Sequence, residues 1–131
     1  MRLLLDTHIA LWAILDDPRL PKAAADMIAD PGNEVFVSVA SVWEIAIKRA
    51  LARGHKNDMP ITAERAVFRF SHAGYELLTI TSSHAVAVAS LPMLHGDPFD
   101  RMLVAQALSE ALTFLTKDAH VAAYSDMIVH V

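Results

Sequence analysis

Five short apolar or β-branched runs punctuate this chain, and helix-patterned segments lie between them. That alternation limits the fold more than any other feature of the sequence. The runs are Arg2–Leu5, Glu34–Ser38, Tyr75–Ile80, Thr113–Thr116 and a terminal run, Met127–Val131. Strands that alternate with helices cannot pair as tight hairpins, because each crossover carries the chain back to the same end. The pattern predicts an α/β fold, a parallel sheet of four to five strands sandwiched by helices. Helices are expected over Thr7–Leu15, Pro21–Ala29, from Ser38 or Ser41 to Arg53, Thr62–His72, Ser82–Ser90, Phe99–Ala111 and Asp118–Tyr124. Pro18, Gly74 and Pro92 serve as stops. The segment Gly54–Pro60 is the most polar and reads as a loop. No repeat or linker interrupts the 131 residues, so a single domain over 1–131 is expected.

Composition removes whole classes of chemistry. With no cysteine, the chain can have no disulfide, thiol nucleophile or thiolate-held metal. Its four glycines are too scattered to build a dinucleotide or phosphate loop. A formal net charge of −4 argues against a generally basic nucleic-acid binder. Any such contact would run through a local basic patch or through metal ions. No stretch reads as a membrane-crossing helix. The apolar N-terminus is interrupted by Asp6 and His8, which argues against a leader peptide. The expected protein is soluble and cytoplasmic.

Acids fall where a parallel sheet would place a site, at the carboxyl ends of strands. Asp6 directly follows the first run and Asp118 closely follows the fourth. Asp97 and Asp100 flank the start of the helix before that fourth run, and Glu44 lies one turn into the helix after the second. Each has an ordinary explanation. Asp6, Asp97 and Asp118 can cap helices, and Glu44 can pair with Lys48 at i+4. Yet Asp100 shares a helical face with Leu103, Val104 and Ala107, and Glu44 sits at the margin of an apolar stripe. Carboxylates drawn toward a core without cations repel one another. A hard divalent ion such as Mg²⁺ or Mn²⁺ relieves that.

The stretches LLLDTH (3–8), SVASVWEIAIK (38–48), HGDPFDRMLVAQA (95–107) and LTKDAHVAAY (115–124) resemble those of the PIN-domain ribonucleases, in particular VapC toxins. The likeness extends over essentially the whole chain. It implies a helix-sandwiched parallel sheet and a ring of acids that binds Mg²⁺ or Mn²⁺ for RNA cleavage. Asp6, Glu44, Asp100 and Asp118 match the four acidic positions, with Asp97 a possible further ligand. Thr116 matches the small hydroxyl two residues before the last acid. His8 stands where the family often has Ser or Asn, and no role is assigned to it. The resemblance further implies a VapB-like antitoxin partner and a homodimer.

Lys48 and Arg101 adjoin proposed site acids and are the candidate RNA contacts. Arg49, Arg53, His55 and Lys56 complete the densest basic stretch. Trp12, Trp43, Phe68 and Phe70 are read as core, although they could serve a partner surface. Competing readings are a His/Asp metal centre using His8, His95 and His120, and a non-catalytic protein-binding module with the acids as caps. No H-E-x-x-H or G-x-S-x-G supports another hydrolase.

Overall fold

The computed structural model describes residues 1–52 and 59–131. The strands are β1 (Arg2–Leu5), β2 (Glu34–Ser38), β3 (Glu76–Leu78), β4 (Thr113–Thr116) and β5 (Ile128–His130). They form one sheet in the order β3-β2-β1-β4-β5, and every pairing is parallel. Between them run α1 (Thr7–Ile14), α2 (Lys22–Ala29), α3 (Val39–Ala50), α4 (Ala63–His72), α5 (Ser82–Val88), α6 (Pro98–Glu110) and α7 (Ala119–Ala122). The expected architecture is the observed one. The expected loop over 54–60 and the basic residues Arg53, His55 and Lys56 lie wholly or largely outside the described residues.

Central β1 is apolar on both faces because both are covered. Leu3, Leu4 and Leu5 have no exposed surface. Alternation then divides the core in two. Leu3, Leu5, Val35, Val37 and Leu115 pack with Ile9, Ile14, Ala24, Ile45, Ala66 and Phe70 from α1 to α4. Leu4, Phe36 and Phe114 point the other way, onto Ala40, Leu103, Val104, Ala107 and Val121.

The edge strand β3 is shorter than expected. It has a partner on one side alone, and only Glu76, Leu77 and Leu78 pair with β2. Gly74 does close α4, at φ +86°, a conformation strained for residues with a Cβ. No helix among the described residues is long and apolar enough to cross a membrane.

Two aromatic expectations are corrected. Trp43 is 59% exposed and Phe68 62%, so neither is core, whereas Phe70 is fully buried and Trp12 partly so. Trp43 belongs to a helix turned the unexpected way. The buried residues of α3 are Ala40, Ser41, Glu44 and Ile45, while Val39, Trp43, Ala46 and Ala50 face outward.

Candidate active site

The strand order reverses at β1. The chain leaves it toward β2 on one side and later returns to its other side as β4. Loops leaving the carboxyl ends of β1 and β4 therefore diverge, which opens a crevice at that end of the sheet. A cleft of about 670 Å³ lies there, lined by Asp6, Glu44, Asp97, Asp100 and Asp118 together with His8, Trp12, Arg19, Lys48, Lys117 and His120. All five acids singled out from the sequence meet in it.

Asp6 ends β1 and caps α1. One carboxylate oxygen accepts from the His8 amide at 3.4 Å and the other from the Thr116 hydroxyl at 2.6 Å. Thr116 in turn accepts from the Asp118 amide at 3.0 Å, so one hydroxyl fixes two acids from opposite ends of the chain. Asp118 caps α7 and Asp97 caps α6 through the Asp100 amide. The capping explanation is thus correct for three acids, yet each cap still presents its carboxylate to the cleft.

Glu44 is more buried than its sequence position suggested, at 3% exposure. Its Oε2 lies 2.6 Å from Lys48 Nζ and its Oε1 2.7 Å from Thr7 Oγ1, which is itself 2.8 Å from Ser41 Oγ. Thr7 has one hydroxyl proton, and the carboxylate can only accept. Thr7 therefore donates to Glu44 and accepts from Ser41. Sequence reasoning overlooked both hydroxyls. Thr7 adjoins Asp6, and Ser41 precedes Glu44 by three on the same helical face, which is where a carboxylate's supports would be sought.

The sequence reading named His95 as a member of the competing His/Asp centre and at the start of the 95–107 stretch. Its Nε2 lies 2.7 Å from Asp100 Oδ2 and 3.8 Å from Asp118 Oδ2. His8 is exposed at the cleft rim, against Trp12. His120 lies 3.4 Å from Asp118.

Arg101 is corrected as an RNA contact. It is 9% exposed, and its guanidinium donates to the carbonyls of Val88, Leu91, Pro92 and His95 and to the Tyr124 hydroxyl. It points away from the cleft and ties the segment between α5 and α6 to α6. Lys48, 45% exposed at its side chain, remains in the cleft.

The electrostatics record the crowding. Burial pushes Asp6 above the ordinary carboxyl range, although Thr116 and His8 oppose it, and the charge of Glu44 adds to the rise. Burial and then the charge of Asp6 push Asp100 from 3.8 to about 6, and the bond to His95 offsets only part. Burial would also raise Asp118, but the His120 amide and the nearby His95 hold it below its usual value. Burial opposes charge on Lys48, yet Glu44, Asp97 and Asp100 keep it above the ordinary lysine range.

Asp100 therefore makes a testable contribution to stability. Folded, it keeps its proton to a higher pH than in the unfolded chain, so stability falls as pH rises from 3.8 to about 6. In chelator at pH 7.5, Asp100→Asn should stabilise the protein by on the order of 1–2 kcal/mol, allowing for solvent screening. The advantage should vanish near pH 4. Melts that show no gain at pH 7.5 would mean the ionised carboxylate carries no penalty.

Known proteins share the fold described above. The family model for the PIN domain matches residues 3–126. The chain is 30% identical over 116 residues to Ribonuclease VapC22 of Mycobacterium tuberculosis, a span of 88% of this chain and 85% of that protein. Its fold is similar to that of VapBC2 from Rickettsia felis bound to a promoter DNA fragment, with TM-score 0.66, 13% identity, and 98% of this chain and 96% of that one covered. A toxin–antitoxin complex from Klebsiella pneumoniae is similar at TM-score 0.63 and 17% identity, over 97% of this chain and 95% of that one.

Proposed function

The chain belongs to the PIN domain family, and from that premise we propose that it is a metal-dependent endoribonuclease acting as the toxin of a toxin–antitoxin pair. The convergence of five carboxylates on one cleft carries the reading. Against them the cleft sets Lys48, Arg19 and Lys117, fewer cations than acids, with the imidazoles of His8, His95 and His120 nearby. That donor set, mostly hard oxygen with negative charge in excess, suits Mg²⁺ or Mn²⁺. Asp6, Glu44, Asp100 and Asp118 would hold the ion, with Asp97 a possible further ligand. When bound, the ion would neutralise phosphate charge and render a water nucleophilic at neutral pH.

The chain's own groups supply position. Thr116 holds Asp6 and the loop of Asp118 in register, and Thr7 fixes one oxygen of Glu44. Glu44 can thereby orient an attacking water, and Lys48 stands beside it for an RNA phosphate. RNA incubated with the purified chain should stay intact in chelator and be cut after Mg²⁺ or Mn²⁺ is added. Cleavage that proceeds unchanged in chelator would overturn the metal-dependent reading.

We further propose that residues 1–131 act as one domain in the cytoplasm, as a homodimer blocked by a VapB-like antitoxin. The relatives named above support the antitoxin. Apolar surface supports a partner: Trp43 and Phe99 meet edge to face at 5.2 Å in the wall of a groove of about 400 Å³ that exposed Met93 also lines. Light scattering should give twice the mass of one chain; a monomer at high concentration would remove the dimer.

A further inference from the structure

We propose that His95 supplies a nitrogen ligand to the ion held by the acid cluster, beside Asp100 and Asp118, and so tilts the site toward Mn²⁺ over Mg²⁺. This rests on the metal-dependent reading above and adds a residue that the acidic positions alone do not include.

The observation is one of aim and spacing. His95, Asp100 and Asp118 each offer an atom such that all three lie within 4.8 Å of one another. The same Nε2 is 2.7 Å from Asp100 and 3.8 Å from Asp118, so it faces the gap between two carboxylates rather than one of them alone. Ligands about 2.1 Å from an octahedral ion stand about 3 Å apart as neighbours and about 4.2 Å apart when opposite. The three atoms approach that spacing, and the proton now shared between Nε2 and Asp100 would be released to solvent as the ion takes its place.

His95 is also held from behind. Its amide donates to the Tyr124 hydroxyl at 3.0 Å, and that hydroxyl lies 3.2 Å from the His95 carbonyl. Arg101 donates to both the hydroxyl and the carbonyl. The main chain that carries the ring is therefore fixed by α6 and by the residue two beyond α7, the elements adjoining Asp100 and Asp118. Neither clamp uses the ring, whose Nε2 stays directed at the two acids. Imidazole suits first-row transition ions, whereas Mg²⁺ prefers oxygen and its own waters. A site with one nitrogen donor should consequently discriminate between the two ions more than an all-oxygen site does.

The test loads the full chain with Mn²⁺ and records pulsed electron paramagnetic resonance, with calorimetric titration of Mn²⁺ and Mg²⁺ alongside. Directly coupled nitrogen should appear in the wild type, change on ¹⁵N-histidine labelling, and disappear in His95→Gln. Loss of even an outer-sphere partner costs about 10–100-fold in affinity, so the Mn²⁺ affinity of His95→Gln should fall at least about tenfold. Its Mg²⁺ affinity should fall much less. Bound Mn²⁺ without nitrogen coupling, or with coupling that persists in a folded His95→Gln, overturns His95 as ligand and leaves the acid site standing. Failure of the wild type to bind Mn²⁺ overturns both. Should the variant not fold, the labelled wild-type spectrum decides, since absence of coupling there is sufficient to reject the ligand.

Discussion

Glu44→Gln should fold normally and cut RNA at least about 10²–10³-fold more slowly than the wild type. The amide has the shape of the carboxylate, and its oxygen can still accept from Thr7, 2.7 Å away. Lys48 would lose a partner, but its side chain is 45% exposed and water can replace the bond. With Glu44 buried the pair is worth more than the about 0.2–0.5 kcal/mol of a surface i, i+4 pair, but because the amide still accepts at Oε1 and water reaches Lys48 the loss stays well inside a domain stability of about 5–15 kcal/mol. The chemical loss is different in kind. An amide neither neutralises a cation nor takes a proton from water, and a misplaced or missing catalytic group costs several kcal/mol of barrier. Cleavage of total RNA with added Mg²⁺ or Mn²⁺, beside a thermal melt, decides the matter. A folded variant that cuts at the wild-type rate would remove Glu44 from the site.

Arg101→Met should have the largest effect on stability, about 3–5 kcal/mol, and should lower Tm by about ten degrees or more. Methionine fills the aliphatic path of the arginine but returns none of its hydrogen bonds. Four carbonyls between Val88 and His95 and the Tyr124 hydroxyl would lose the guanidinium at a nearly closed site, although Val88, Pro92, His95 and the hydroxyl each keep one other donor. Among the described residues no carboxylate is paired with this cation, so it is held by carbonyl dipoles and a phenol. Arg101→Lys should recover only part of the loss, because an ammonium lacks the planar fork that reaches several acceptors. A variant that melts with the wild type but binds RNA weakly would instead return Arg101 to the RNA-binding role read from sequence.

That arginine also shows where sequence reasoning reached its limit. Its neighbour in the chain, Asp100, faces the cleft, and adjacency suggested a shared role. Consecutive helical residues point about 100° apart, and the second of the pair turns toward the segment before α6. Asp6 and Asp118 were easier to place because a strand's carboxyl end fixes their location within a residue or two. The terminal strand was legible for the same reason, although only Ile128–His130 of its expected span pairs with β4.

Helix α3 was the harder case. Its three/four apolar spacing would ordinarily mark the core-facing side, but the outward stripe carries Val39 and Trp43 while Ser41 and Glu44 turn inward. Here a polar group needed at the cleft displaces an apolar one, and the displaced residues form the exposed surface near Phe99. His95 was read from the sequence only as a member of a competing His/Asp centre, because its contact with Asp100 and Asp118 depends on the path of the segment leading into α6, and periodicity says nothing of such a path.

The hydrogen bond from Thr116 to Asp6 joins residues 110 positions apart. Nothing local to Asp6 supplies that bond, which exists only once β4 has docked against β1. Seating the sheet's central pair of strands and setting these carboxylates are therefore one event. Anything that loosens the β1–β4 pairing frees the Asp6 oxygen and the Asp118 amide together, because both hang on the same Thr116 hydroxyl. The cleft cannot be damaged at one of these acids by such a loosening and left whole at the other.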